Sequence, residues 1–135
     1  MVKKRLIAIV DDEPDILKLF QDFLSKIKGI SIFTFTDPLM ALEHVRMNKN
    51  EYVLVISDLR MPSLDGLELV KVIKDLNPLV RTILMTAFAT KDDLFQDYAR
   101  QEIINNFLQK PVLLADLYEQ VIKELRIYYI LKKSL

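Results

Sequence analysis

The stretch 54-LVISDLRMPSLDGLEL-69 decides how this chain folds. Leu54 to Ser57 read as a buried strand, and that strand ends on a carboxylate, Asp58. Pro62 and the Asp65-Gly66 pair then break the chain and shape a loop, and a helix is predicted from about Asp65 to Leu76. A similar design opens the chain at 6-LIAIVDDEP-14, where Asp11 and Asp12 end another apolar run. A strand that delivers acid at its tip, twice, places chemistry at a sheet edge.

Working outward, five short runs are rich in apolar and β-branched residues: 5–10, 30–35, 52–57, 80–85 and 104–109. Most are continuous apolar blocks without alternation, as in strands covered on both faces. Asn105 and Asn106 dilute the fifth. Helical patterns lie between and after them. The first spans Pro14 to Lys28, with Ile16, Phe20, Phe23, Leu24 and Ile27 on one stripe and Gly29 as a stop. Asp37-Pro38 opens the second, with Leu39, Leu42 and Val45 inward. The third turns Leu69, Ile73 and Leu76 inward. The fourth has Thr90 as N-cap, then Leu94, Phe95 and Tyr98. The last begins after Pro111 and carries Leu114, Leu117, Val121, Leu125 and Tyr128. Five strands alternating with five helices predict an open parallel α/β sheet with helices on both faces.

The 135 residues suffice for one domain with a real core. Lys plus Arg and Asp plus Glu number 19 each, so no bulk charge draws the chain to nucleic acid or an anionic membrane. There is no cysteine, which excludes disulfides and thiolate metal sites. The apolar run after the basic start is too short for an export signal, and no stretch approaches a membrane span. The expectation is a cytoplasmic protein. His44, the only histidine, reads as an exposed residue on the second helix.

In an open α/β sheet, ligands bind beyond the carboxyl ends of the strands, where strand order reverses. Here those ends carry Asp11-Asp12, Asp58, Thr86 and Lys110. Two carboxylates about 4 Å apart at an effective dielectric near 20 repel by roughly 4 kcal/mol. That would raise one pKa by roughly three units. A divalent cation removes the conflict, and an all-oxygen donor set without His or Cys points to Mg²⁺. A carboxylate held beside Mg²⁺ and a lysine is a candidate nucleophile toward phosphorus.

The fragments IVDDEPDIL, SDLRMPSLDGLEL, ILMTAFA and NFLQKP together resemble the receiver domain of two-component response regulators. The resemblance runs from Leu6 to about Arg126. It implies a flavodoxin-like sheet of order 2-1-3-4-5, a receiver over residues 1–126, and a C-terminal extension of the last helix over 127–135. It implies Asp58 as phosphoacceptor and Asp11, Asp12, Asp58 and the Arg60 carbonyl as Mg²⁺ ligands. Thr86 and Phe107 are implied as switch residues, Lys110 as the phosphoryl-contacting lysine, Ala87 as a small residue leaving room for the phosphoryl group, and Lys110–Pro111 as a cis bond. The partner implied is a histidine kinase or phosphotransfer protein. The output is a change in the face of helix 4, strand 5 and helix 5 that controls a further protein. Such a domain is no conventional enzyme, although it promotes its own aspartyl phosphorylation and dephosphorylation.

Some positions depart from that pattern. Ile103-Ile104 stand where Gly-Ala is common, Phe107 where Tyr is frequent, and no Ser, Thr or Asp caps the fifth helix. Arg60 and Phe88, two beyond Asp58 and Thr86, offer no help to an attacking water, so a long-lived acyl phosphate is expected. The tail continues as IYYILKKSL, in which Ile127, Tyr128, Tyr129, Ile130 and Leu131 are apolar all round, which predicts self-association through the last helix or docking to an output protein. Two other classes compete. A haloacid-dehalogenase-like phosphatase also pairs an Asp nucleophile with Mg²⁺, but it wants D-x-D where this chain has Asp11 and Glu13. A receiver-like module that takes no phosphate would not need the complete acidic set.

Overall fold

Apolar blocks that cannot satisfy their backbone alone pair edge to edge, and here all five pair in parallel. The computed structural model describes residues 5–87 and 93–135. Its strands are β1 (Leu6–Val10), β2 (Ser31–Phe35), β3 (Tyr52–Asp58), β4 (Arg81–Thr86) and β5 (Asn106–Gln109). The helices are α1 (Pro14–Leu24), α2 (Pro38–Met47), α3 (Gly66–Leu76), α4 (Asp93–Arg100) and α5 (Leu114–Lys133). The sheet order is β2-β1-β3-β4-β5, the flavodoxin-like arrangement. Strand order reverses between β1 and β3, so the crevice at their carboxyl ends lies beside Asp11 and Asp58.

Alternation along β1 explains why both faces are covered. Ile7 and Ile9 join Leu17, Phe20 and Leu24 of α1 and Leu117 and Val121 of α5 in one core. Leu6, Ala8 and Val10 face the other way, onto Ala41 and Val45 of α2 and Leu69 and Ile73 of α3. Each such buried aliphatic side chain contributes about 1.5–3 kcal/mol relative to exposure. A third cluster packs Leu59, Leu67, Val70 and Leu84 against Phe95, Ile103 and Ile104, which seats α4.

Several local expectations shift. The first helix ends at Leu24, and Ile27 packs from the turn beyond it. In α2 Pro38, Ala41 and Val45 are buried and Leu42 packs half-buried against the same core, while Leu39 is exposed. Leu94 of α4 is likewise exposed, and Phe95 is the buried anchor. The fifth strand begins at Asn106, so Ile104 belongs to the α4 cluster instead of the sheet. Thr90, expected as the α4 cap, lies outside the described residues.

His44 is not a solvated helix residue. It is half-buried against Phe33 and Phe35 of β2, and its Nδ1 lies 2.6 Å from the hydroxyl of fully buried Tyr52. Sequence spacing placed it away from the acidic edge but did not show that β2, an edge strand, brings aromatic rings under it. Asp65 does more than shape a loop: its side chain caps α3 by accepting from the Glu68 N–H.

The turn from α4 to β5 reverses without glycine. Glu102 takes φ +61°, and the Asn105 side chain supplies the missing order. Its Nδ2 donates to the Glu102 carbonyl at 3.1 Å, and its Oδ1 accepts from the Thr82 N–H at 3.0 Å. The Thr82 hydroxyl donates to the Ile103 carbonyl at 2.5 Å. Together these bonds fix the entry to β5.

Candidate functional site

Each functional side chain sits where its strand runs out of sheet. β1 ends at Val10, and Asp11 follows, fully buried. Its Oδ1 accepts the Glu13 N–H at 2.9 Å, which orders the first turn of α1 where Glu13, the N-cap, has no side-chain cap of its own. Asp12 is exposed. β3 ends on Asp58, buried, with a Leu59 N–H that donates to the Met85 carbonyl and so ties the strand tip to β4. α3 starts against this tip. Gly66 donates its N–H to the Leu59 carbonyl at 2.8 Å, and a Cβ at Gly66 would collide with the Asp58 carbonyl oxygen.

Lys110 follows β5, and its N–H donates to the Thr86 carbonyl at 2.7 Å. Its Nζ stands 3.1 Å from Asp58 Oδ2 and 3.5 Å from Asp11 Oδ2. The Lys110–Pro111 bond is cis, as expected. Thr86 is buried at the end of β4. Asp58, Arg60, Thr86, Ala87 and Lys110 line one open cavity of about 160 Å³ together with Leu59. Of the sequence-derived set, Asp58, Arg60, Thr86 and Lys110 therefore meet at one cavity, and Asp11 joins Asp58 through Lys110.

The electrostatics differ from simple like-charge repulsion. The Asp11 pKa is raised chiefly by burial; the Glu13 N–H and Lys110 pull it down, and the charges of Asp58 and Glu13 push it further up. Burial lowers the Lys110 pKa, but the hydrogen bond to Asp58 and the charges of Asp11 and Asp58 outweigh it, so the net direction is up. Asp11 Oδ2 is buried without a hydrogen bond; Lys110 at 3.5 Å is an ion-pair neighbour, too distant for a good one. Asp11, Asp12 and Glu13 each bring a carboxylate oxygen within 4.8 Å of the others. An orphaned carboxylate oxygen beside two further acids fits a hard divalent cation such as Mg²⁺.

Phe107 points outward on β5, half-exposed, its ring edge-on to Phe95 with centroids 6.0 Å apart. Phe88 lies outside the described residues. The fifth helix starts at Leu114, and its N-cap Leu113 provides no side-chain cap, as the sequence implied. Sequence reasoning missed the polar cluster at the other sheet edge, formed by Lys74, Arg81, Asn105 and Glu124. One signal was available: Glu124 falls in the apolar stripe Leu117, Val121, Leu125, Tyr128, where an acid needs a buried partner.

Comparison with known proteins places this geometry in context. Residues 7–122 match the response regulator receiver domain. The transcriptional regulatory protein GlrR of Escherichia coli is 34% identical over 115 residues, covering 85% of this chain and 25% of that protein. The chain thus spans about a quarter of the length of such a relative. Sporulation initiation phosphotransferase F of Bacillus subtilis is 34% identical over 86 residues, 64% of this chain and 67% of that one. A response regulator receiver domain protein from Clostridium thermocellum superposes with a TM-score of 0.79 at 27% identity, covering 94% of this chain and 98% of that one.

Proposed function

This chain belongs to the response regulator receiver domain family, and from that premise we propose that Asp58 is the phosphoacceptor of a signalling switch. A carboxylate oxygen of Asp58 attacks phosphorus of a phosphohistidine on a histidine kinase or phosphotransfer protein. The P–N bond breaks, the imidazole leaves with the electron pair, and an aspartyl phosphate remains. The observation that carries this reading is Lys110 Nζ at 3.1 Å from Asp58 Oδ2, at the wall of an open cavity. Lys110 and the Thr86 hydroxyl then meet the charge on the phosphoryl oxygens, and Ala87 leaves room for them.

Asp11, Asp12, Asp58 and the Arg60 carbonyl would hold Mg²⁺. When bound, the cation neutralises the acidic edge and the incoming phosphoryl charge. The orphaned Asp11 Oδ2 supports this assignment. Thr86 and Phe107 lie on β4 and β5, so their rearrangement would change the face of α4, β5 and α5 that an output protein reads. Arg60 is exposed at the cavity and its guanidinium has no acceptor atom, which gives water no base there and favours a long-lived acyl phosphate.

Residues 127–135 continue α5 without a break as far as Lys133. Tyr128 is buried and Tyr129 lies under Arg5 at 4.3 Å, whereas Ile130 and Leu131 are exposed. This extension is the proposed contact for self-association or an output protein. No described helix is long and apolar enough to cross a membrane, and the reading places the domain in the cytoplasm.

The test is intact-mass measurement after exposure to acetyl phosphate and Mg²⁺. One phosphoryl group should add to the parent and none to Asp58→Asn. Equal labelling of the variant overturns the assignment.

A further inference from the structure

At the edge of the sheet opposite Asp58, the last turn of α3 carries Lys74 toward the start of β4 and the turn before β5. Its Nζ donates to Asn105 Oδ1 at 2.8 Å, a neutral amide acceptor. Among the described ion pairs, no carboxylate neutralises it. Three charged groups face it: Arg81 from β4, Glu124 from α5, and Glu102 from the turn after α4. Arg81 gives its Nε to Glu124 Oε1 at 2.8 Å, and Glu124 is 1% exposed, so that acid is already committed. The Arg81 side chain keeps 14% of its surface in solvent, and its terminal amino groups have no partner among the described hydrogen bonds.

An amine desolvated beside a second cation is the arrangement that activates a lysine as a nucleophile. Burial and Arg81 push the Lys74 ammonium down to about 8, against the opposing pull of Glu124 and Glu102. Among the described residues, the other two lysines with a resolved shift, Lys71 and Lys110, move up.

We propose that Lys74 is an acylation site that takes the acyl group of an acyl phosphate, with Arg81 seating the phosphate. The neutral Nζ attacks the carbonyl carbon. The carbon–oxygen bond to phosphate breaks, phosphate leaves with the electron pair, and Nζ loses a proton to solvent, giving a neutral amide. Nothing is oxidised or reduced. The product keeps one N–H for Asn105 but removes the charge beside Arg81. One reagent is thus read at two edges of the same sheet, at phosphorus by Asp58 and at carbon by Lys74. The proposal for Lys74 does not rest on phosphorylation of Asp58.

The experiment uses the full chain carrying Asp58→Asn, with chelator present. Acetyl phosphate and, in parallel, the uncharged ester N-hydroxysuccinimidyl acetate are supplied, and acetylation of each lysine is followed by peptide mass spectrometry. At pH 8 a group with a pKa near 8 has on the order of a hundredfold more free amine than an ordinary lysine. Part of that gain is offset by lower intrinsic nucleophilicity and restricted access, so Lys74 should label about tenfold faster than exposed Lys18, Lys26 and Lys123 with both reagents. Its rate should level off above about pH 8. Unfolding in urea should erase the preference. Arg81→Gln should reduce labelling by acetyl phosphate more than labelling by the ester. If Lys74 labels no faster than Lys18 with either reagent, the activated lysine is wrong. If only the ester prefers Lys74, or Arg81→Gln slows both reagents equally, the acyl phosphate assignment is wrong.

Discussion

The two edges of this sheet are opposite electrostatic designs. At the carboxyl edge, Asp11, Asp12 and Asp58 outnumber Lys110, and Asp11 keeps a buried oxygen without a hydrogen bond. At the amino edge, Glu124 is closed by Arg81, and Asn105 serves α3, β4 and the α4–β5 turn at once. The first edge holds charge that the fold does not balance, which costs stability unless something is bound. The second closes its buried acid, Glu124, on Arg81 and fixes where elements meet, while the Lys74 amine meets a neutral amide. Unsatisfied buried charge marks the place of exchange, the Asp11 oxygen at one edge and the Lys74 amine at the other, and the satisfied bonds around Asn105 and Glu124 mark the place of support.

The largest expected effect is at the exchange edge. Lys110→Ala should slow phosphoryl uptake from acetyl phosphate by about a hundredfold, because charge on the phosphoryl oxygens loses its fixed counter-charge. A mass-spectrometric time course that matches the parent would remove Lys110 from the chemistry.

Stability should then separate the two edges by sign. Glu124→Ala leaves Arg81 without its buried partner and should destabilise by about 3 kcal/mol in urea unfolding. Asp11→Asn, without Mg²⁺, removes a buried charge from a crowded site and should stabilise by about 1 kcal/mol. It should also abolish any protection by added Mg²⁺. Shifts of the same sign would break the comparison.

A smaller effect depends on pH. The folded-state pKa of Lys74 lies near 8, below the ordinary 10.5. Between those values the unfolded chain binds more protons, so stability rises with pH and the cost of burying the ammonium fades. Relative to Lys74→Met, the parent should gain on the order of 1–2 kcal/mol between about pH 7 and about pH 10. A constant difference would show that Lys74 is solvated.

The smallest effect sharpens the loop behind Asp58. Ser63 holds φ +75°, where a side chain is strained. Ser63→Gly should raise stability by about 0.5 kcal/mol, measured by the same unfolding, with phosphoryl uptake unchanged.

Much of this was legible in the sequence. Continuous apolar blocks at β1 and β3 declared strands covered on both faces, and the acids at their tips declared one functional edge. That reading holds because strand direction and crossover handedness leave few alternatives once five βα units follow one another. Asp11, Asp58, Thr86 and Lys110 needed only their positions at strand ends to be brought together.

What the tertiary structure decided is of another kind. Leu39, expected inward, is exposed, and Ala41 is buried against α3, because helical periodicity does not say which stripe meets a neighbour. His44 finds Phe33, Phe35 and Tyr52 because β2 pairs beside β1, a contact across elements that its own helix does not reveal. The cause of the raised Asp11 pKa is burial more than repulsion, and burial is set by the whole fold. Lys74, Arg81, Asn105 and Glu124 are up to 50 positions apart and meet only when α3, β4, β5 and α5 close on one edge. Local sequence determines which elements form and what their ends carry. Interactions between residues distant in the chain exist only in the packed state, where their partners and the exclusion of water are fixed together.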